Sequence, residues 1–543
     1  MCGIFAYLGE PKIKNFFLTD FNSFRERGPD SQSLEIIKSK EQSSIVFGFH
    51  RLAINDLSPS GDQPMTLGTS TLICNGEIFN YQELLKENDF VYKSTSDCEI
   101  ILHMYHQYGI TETVSKLDAE FAFILYDSKE DIVMAARDPF GVRPLFRGTD
   151  QQGNIYFSSE IKGISNLCQK IERFPPGCIW DSKENKYSRY YEYKYPIQTY
   201  ISDNLQEEQI CQHLRELLTK AVDKRLMSDR PIGCLLSGGL DSSLISSIVA
   251  KKFKEENKGE LNTFSIGMPG STDLKYAKMV SEHIGSKHHH IELSPEDFLK
   301  AIPEVIYSIE SYDTTTVRAS VGNYLVGKYI KENTDITVVY NGDGSDEQSG
   351  YLYLKNAPDE ELFQEECISL LKNIHMFDCL RSDRSISSRW SLESRTPFLD
   401  KDFVQYYMTI EPKLKMYSDS RMEKYLLRKS FEEGNYLPTE VLWRPKEAFS
   451  DGCSSNEQSW YKIIQKYVDL LITDEQFEKE RHTYSHNPPQ LKESLYYRQI
   501  FESHFGNHNN IIDFFWLPKW CGQQSDPSAR ELSFYNKPCS QKK

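Results

Sequence analysis

The sequence predicts an α+β domain of antiparallel sheets followed by an α/β domain on a doubly wound parallel sheet. Two observations carry this. Up to about residue 190 the apolar segments are short, strand-like and closed by turn residues. From about residue 205, short apolar runs alternate with helical patterns at the spacing of βαβ units. In chain order, Ser44–Phe49, Leu72–Asn75, Phe121–Tyr126 and Ile132–Ala136 read as strands, with one helix at Asp97–Tyr108. Tyr187–Tyr200, dense in Tyr and Lys and without a period, reads as a linker. The helix Ile210–Met227 opens the second unit. It is followed by the strand Ile232–Leu236, the helix Leu240–Phe253, the strand Thr263–Gly267 and the helix Asp273–His283. The strand His290–Leu293, the helix Pro295–Ser308 and the strand Thr337–Tyr340 complete the pattern. The expected domains span 2–190 and 205–520, and the polar stretch 521–543 is expected to fray.

Composition narrows the function. The chain has 543 residues, with 63 Lys+Arg against 79 Asp+Glu and a formal net charge of -16. Nucleic-acid binding needs a basic face, so none is expected as a general property. No apolar run reaches the ~18 residues of a membrane-spanning helix. The start, Met-Cys-Gly-Ile-Phe-Ala-Tyr, lacks the pattern of a signal peptide. The 12 cysteines form no Cys-x-x-Cys pair, which argues against a zinc site or a disulfide framework. A cytoplasmic location is the expectation. The oligomeric state is left open, a homodimer included.

Cys2 directly follows the initiator Met. Removing Met1 would leave a thiol and a free α-amine on one residue, and an amine with a pKa near 7.7–8.0 can accept the thiol proton. Arg51 at a strand end suits a substrate carboxylate through bidentate pairing. Glu77 and Asp97 suit a substrate ammonium. The Asn75 amide and the Gly76 backbone N–H suit an oxyanion. The order Cys2-Gly3-Ile4, Arg27-Gly28-Pro29-Asp30, His50-Arg51-Leu52, Asn75-Gly76-Glu77, Ser96-Asp97 and Arg137-Asp138-Pro139-Phe140-Gly141 resembles the class II glutamine amidotransferase domain, an N-terminal-nucleophile hydrolase. The resemblance implies that Cys2 attacks the glutamine side-chain amide, giving glutamate and ammonia, at a site of Arg51, Asn75, Gly76, Glu77 and Asp97.

Leu236-Ser237-Gly238-Gly239-Leu240-Asp241-Ser242-Ser243 joins a strand to a helix N-terminus. Its glycines let backbone approach a ligand, and its hydroxyls and helix N–H groups point at anions. Asp241 would repel a phosphate unless a cation intervenes, which suggests Mg²⁺. Gly322–Tyr329 nearly fits a Walker A loop, but it lacks the final Ser/Thr, follows no strand and reads as a helix. The Ser237–Ser243 loop resembles that of the ATP pyrophosphatase family. Joined to the first half, the chain is similar to the glutamine-hydrolysing asparagine synthetases over roughly residues 2–520. That resemblance implies ATP and aspartate as substrates beside glutamine. Leu236, Ile266, Asn341 and Gly342 would hold base and ribose, and Ser237, Gly238, Gly239, Asp241 and Ser242 the phosphates. Asp241 and Asp346 would hold Mg²⁺. Thr315, Thr316 and Arg318 would lie near the aspartate and the α-phosphate, and Lys446 would stabilise charge on the phosphorus.

The implied reaction activates the aspartate side chain as β-aspartyl-AMP, with release of pyrophosphate, and ammonia then displaces AMP. Ammonia would travel inside the protein along a dry, uncharged wall at the domain interface. Asp343 stands where the family usually has glutamate, one methylene longer. His288–His290 is expected to be a polar strand edge, since alternation lets only two of the three converge. Two enzyme alternatives stay open: a relative adenylating another carboxylate, and a glutaminase half coupled to a sugar or phosphoribosyl acceptor. A weakened homologue acting as a binding protein is a third.

Overall fold

The computed structural model describes residues 1–40, 43–198, 204–418, 421–455, 457–522 and 524–531. Its first half holds two six-stranded antiparallel sheets. One runs Lys170–Arg173, Phe146–Thr149, Ile155–Ser158, Gly3–Gly9, Ser44–Arg51, Ser31–Lys38, and the other Lys186–Arg189, Cys178–Asp181, Ile132–Arg137, Ala119–Asp127, Ser70–Ile78, Met65–Leu67.

The period of two explains the layering. In Gly3–Gly9, Ile4 and Ala6 face the second sheet while Phe5 and Tyr7 face the layer of Phe17 and Phe21. In Ala119–Asp127, Ala122 and Ile124 face the first sheet, and Phe121, Phe123 and Leu125 face the helix Ile100–Lys116. Both central strands are therefore apolar on both faces, which hides their alternation in the sequence.

The second half is a five-stranded parallel sheet in the order Lys287–Glu292, Asn262–Gly267, Ile232–Leu235, Val338–Tyr340, Glu393–Arg395. Leu240–Glu255 packs one face through Leu244, Ile245 and Ile248. Pro295–Ile309 and Thr314–Asn333 pack the other through Ile302, Val317 and Val321. Gly322–Tyr329 lies inside the second of these helices, as the sequence reading expected. His288–His290 lies in the edge strand. His288 bonds the Thr263 and Ser265 hydroxyls, and His289 stacks on Phe264.

Two expectations change. The presumed linker begins with a sheet strand, Lys186–Arg189, and the hydroxyls of Tyr190 and Tyr193 donate to the carbonyls of Arg137 and Pro139. Residues 199–200 of that stretch lie outside the described residues. The described residues of the tail expected to fray, up to residue 531, are docked. Asp526 accepts from Arg318, and Arg530 pairs with Glu447, so charge rather than apolar area fixes it. Residues 532–543 lie outside the described residues.

Candidate active sites

Cys2 leads into the central strand of the first sheet, with its thiol 3.7 Å from the Leu52 carbonyl. Burial pushes the thiol above its ordinary pKa. Arg27, fully buried, donates to the Cys2 carbonyl at 2.9 Å and pairs with Glu160 and, across the interface, with Asp383. The Met1 amine is enclosed, 3.8 Å from Glu393 of the second half, and burial lowers its pKa.

Asn75, 1% exposed, lies within the strand Ser70–Ile78, with both amide atoms lacking a partner. A buried amide without partners is rare and points to a group that binds there. At Gly76 a Cβ would meet the Glu120 carbonyl at 2.7 Å, so only glycine fits. Glu77 and Asp97 are bridged by Asn55, whose amide donates to them at 2.6 and 3.4 Å. Asp97 also accepts from the Ile78 N–H at 2.7 Å, yet burial raises it to about 6. Burial and two neighbouring carboxylates, Glu393 and Asp97, push Glu77 well up. Arg51 already pairs with Asp62 at 2.8 Å and donates to the Ser58 and Asp56 carbonyls. Asp62 is half-exposed, so a ligand carboxylate can exchange for it.

In the second half, Leu236, Ser237, Gly239, Asp241, Ser242, Ile266, Thr315, Asn341, Gly342, Asp343, Asp346 and Lys446 line one cavity at the carboxyl ends of the strands. Gly238 does not line it. Its φ of +78° and a Cβ contact of 2.4 Å with the Ala277 backbone make it a turn residue. Thr316 does not line the cavity: its N–H and hydroxyl donate to Asp313, which caps the helix.

Arg318 is the main correction. It clamps Glu493 at 2.8 and 2.6 Å and Asp526 at 2.8 and 3.0 Å, and it does not line the cavity. The helix turns Thr315, Ala319, Asn323 and Val326 toward the cavity. At ~100° per residue, Arg318 falls about a quarter-turn outside that stripe.

Two lysines span the acids. Lys446 lies 3.1 Å from Asp241 and 2.9 Å from Asp346, and Lys424, which the sequence reading missed, lies 2.7 and 2.5 Å from them. Both ammonium groups hold Asp241 well below the usual carboxylate range. No cluster of three or more His, Cys, Asp or Glu suited to a metal exists among the described residues. Two facing carboxylates do fit an ion that completes its shell with phosphates and water. Burial keeps Asp343 above its ordinary range, with Arg381 opposing, and Glu347 is raised to about 7.

The strand Glu393–Arg395 joins the two sites. Arg395 lies 3.5 Å from Glu77, while its carbonyl and the Ser394 hydroxyl accept from the Asn341 backbone and amide at 3.1 and 2.8 Å. Buried ion pairs cross the surrounding interface, Arg225–Glu120 at 3.2 Å and Arg27–Asp383 at 3.3 Å among them. Matched charges tolerate burial where single ones do not.

These two sites in one chain define a glutamine amidotransferase joined to an ATP-dependent ligase. Residues 1–175 match the glutamine amidotransferase domain model, and residues 213–361 and 352–529 match the asparagine synthase model. The glutamine-hydrolysing asparagine synthetase of Gallus gallus is 42% identical over 561 residues, covering 98% of this chain and 99% of that one. That of Homo sapiens is 41% identical over 562 residues with the same coverage. This chain belongs to the family of glutamine-hydrolysing asparagine synthetases.

Proposed function

We propose that this protein makes asparagine from aspartate, ATP and glutamine, with domains at 2–190 and 205–520. The unpartnered Asn75 amide, on the strand that also carries Glu77 of the Glu77–Asp97 pair, carries the glutamine half of this reading. With Met1 removed, the Cys2 amine takes the thiol proton and the sulfur attacks the substrate amide carbon. Asn75 Nδ2 and the Gly76 N–H receive the developing oxyanion. Arg51 pairs with the substrate carboxylate, Glu77 and Asp97 with its ammonium.

In the second half, Ser237, Gly239 and Ser242 cradle the phosphates, and Leu236, Ile266, Asn341 and Gly342 flank the nucleoside. Thr315 supplies a buried hydroxyl without a partner beside the acceptor carboxylate. The carboxylate attacks the α-phosphorus, pyrophosphate leaves, and Lys446 offsets the charge that builds up. Mg²⁺ would be held by Asp241 and Asp346 and would neutralise pyrophosphate. Asp343 stands beside the acyl adenylate when ammonia displaces AMP. We place the protein in the cytosol, and the unpaired cysteines support that.

The test is an assay of pyrophosphate and asparagine from aspartate and ATP, with glutamine or with ammonia. The reading predicts both products with either nitrogen donor. A protein that keeps its starting Met should retain only the ammonia reaction. Cleavage of ATP between β and γ phosphates would overturn the proposal.

A further inference from the structure

A second cavity lies between the halves, away from both sites. Its walls are the edge strand Lys170–Arg173 and residues 175–194 of the first half, and residues 372–376 and 507–513 of the second. On a chain of net charge -16, this crevice gathers Lys170, Arg173, Arg189, Lys194 and Lys372 against three carboxylates. Those acids are largely spent. Glu192 is taken by Lys194, and Glu172 is shared between Lys170 and Arg147. Asp513 reaches Arg173 only at a distance. Neither Arg173 nor Lys372 makes an ion pair within 4.0 Å among the described residues.

Two polar groups in the wall point to a missing ligand. Arg173 donates Nε to the Ile511 carbonyl at 3.1 Å, but its Nη2 is buried without a partner. His375, 8% exposed, has an unpartnered Nδ1. Its Cβ lies against Gly141, where an added Cβ would come within 2.8 Å of it, which ties the crevice to the Arg137–Gly141 turn. Burial together with Arg137 and Arg173 keeps His375 neutral, so one ring nitrogen is a donor and the other an acceptor. A planar guanidinium with a free edge, beside a neutral imidazole and the Lys372 ammonium that no described carboxylate pairs, is a setting for an oxyanion.

We propose that this crevice binds a small oxyanion, a phosphate- or carboxylate-bearing molecule held by Arg173, His375 and Lys372, and that its occupancy bridges the two halves. This assignment is independent of the amide-forming reaction. The experiment is calorimetric titration of the full chain with inorganic phosphate and, separately, with citrate. Saturating ATP without aspartate keeps the phosphate loop filled. One of the two probes should bind with Kd of about 1 mM or tighter, and which one binds distinguishes a phosphate from a carboxylate source. Arg173→Gln and Lys372→Gln should each weaken that binding at least tenfold while leaving pyrophosphate release unchanged. Lys372 is exposed, so its variant keeps the test decisive if Arg173→Gln fails to fold. Absence of binding by both probes, or equal affinity in wild type and the Lys372→Gln variant, overturns the proposal.

Discussion

Lys424 holds its ammonium 2.7 Å from the Asp241 carboxylate, with the lysine side chain 0% exposed. The phosphate loop therefore carries its own counter-charge. Lys424→Met leaves Asp241 to Lys446 and the Ser345 hydroxyl. Breaking a buried pair costs roughly 3 kcal/mol of stability. It also leaves Asp241 and Asp346, which line the phosphate cavity, with one ammonium fewer between them, an electrostatic loss on the order of a hundredfold in rate. Pyrophosphate release should fall by that factor while glutaminase activity stays within about twofold. Equal losses in both half-reactions would contradict the assignment.

Asn75 offers a test in which stability and activity part ways. Its amide makes no hydrogen bond in the protein and is buried. Asn75→Ala deletes two unsatisfied polar atoms, so the melting temperature should hold or rise. Loss of one oxyanion donor should lower glutaminase kcat by about 10²–10³. Ammonia-dependent synthesis should be untouched. A fall in stability would mean that the amide has a structural role instead.

The features legible in the sequence are those the backbone dictates locally. The Ser237–Ser242 loop needs glycine at the +78° φ of Gly238, and Gly76 needs a missing Cβ, so both leave a mark within a few residues. Parallel strands such as Asn262–Gly267 stand out as short apolar runs between helices. What stayed hidden was long-range pairing. Arg318 has its partners 175 and 208 residues away, and no local pattern says that Glu493 and Asp526 absorb its charge. Lys424 sits among Arg421, Glu423 and Arg428 and reads as a solvated helix face, although it is buried at the loop. Asn55, which bridges Glu77 and Asp97, lies in a stretch whose only sequence signal was the preceding His50-Arg51.

Asp343 sits in a turn closed by its own N–H donating to Asn341 Oδ1 at 3.1 Å and followed by Gly344 at φ +94°. Its carboxyl is buried, with Ser382 donating to it and Arg381 nearby. Because Asp343 lines the cavity, a further methylene would carry its carboxylate about 1 Å from its place, and a displacement of that size can cost up to about a hundredfold in rate. Asp343→Glu should lower asparagine formation by about tenfold, with a smaller effect on pyrophosphate release. Unchanged or faster synthesis would show that the site has kept space for glutamate.

Asp97 sets a pH dependence whose sign follows from its raised pKa, about 6 against an ordinary 3.8. The folded state holds the proton more tightly than the unfolded one. The resulting stability is full below about pH 4 and is lost as pH rises toward 6. Above that, burying the charge costs about 3 kcal/mol. Asp97→Asn removes the charge and still lets an oxygen accept from the Ile78 N–H, so at pH 7 it should unfold at higher denaturant than wild type. At pH 4 the two should converge. Function runs the other way. Only the ionised carboxylate pairs with the glutamine ammonium, so KM for glutamine should fall as pH rises from 5 to 7. The Asp97→Asn variant should show a high, flat KM across that range. A KM with the same pH profile in both proteins would remove Asp97 from the binding site, and a variant less stable at pH 7 would refute the burial cost.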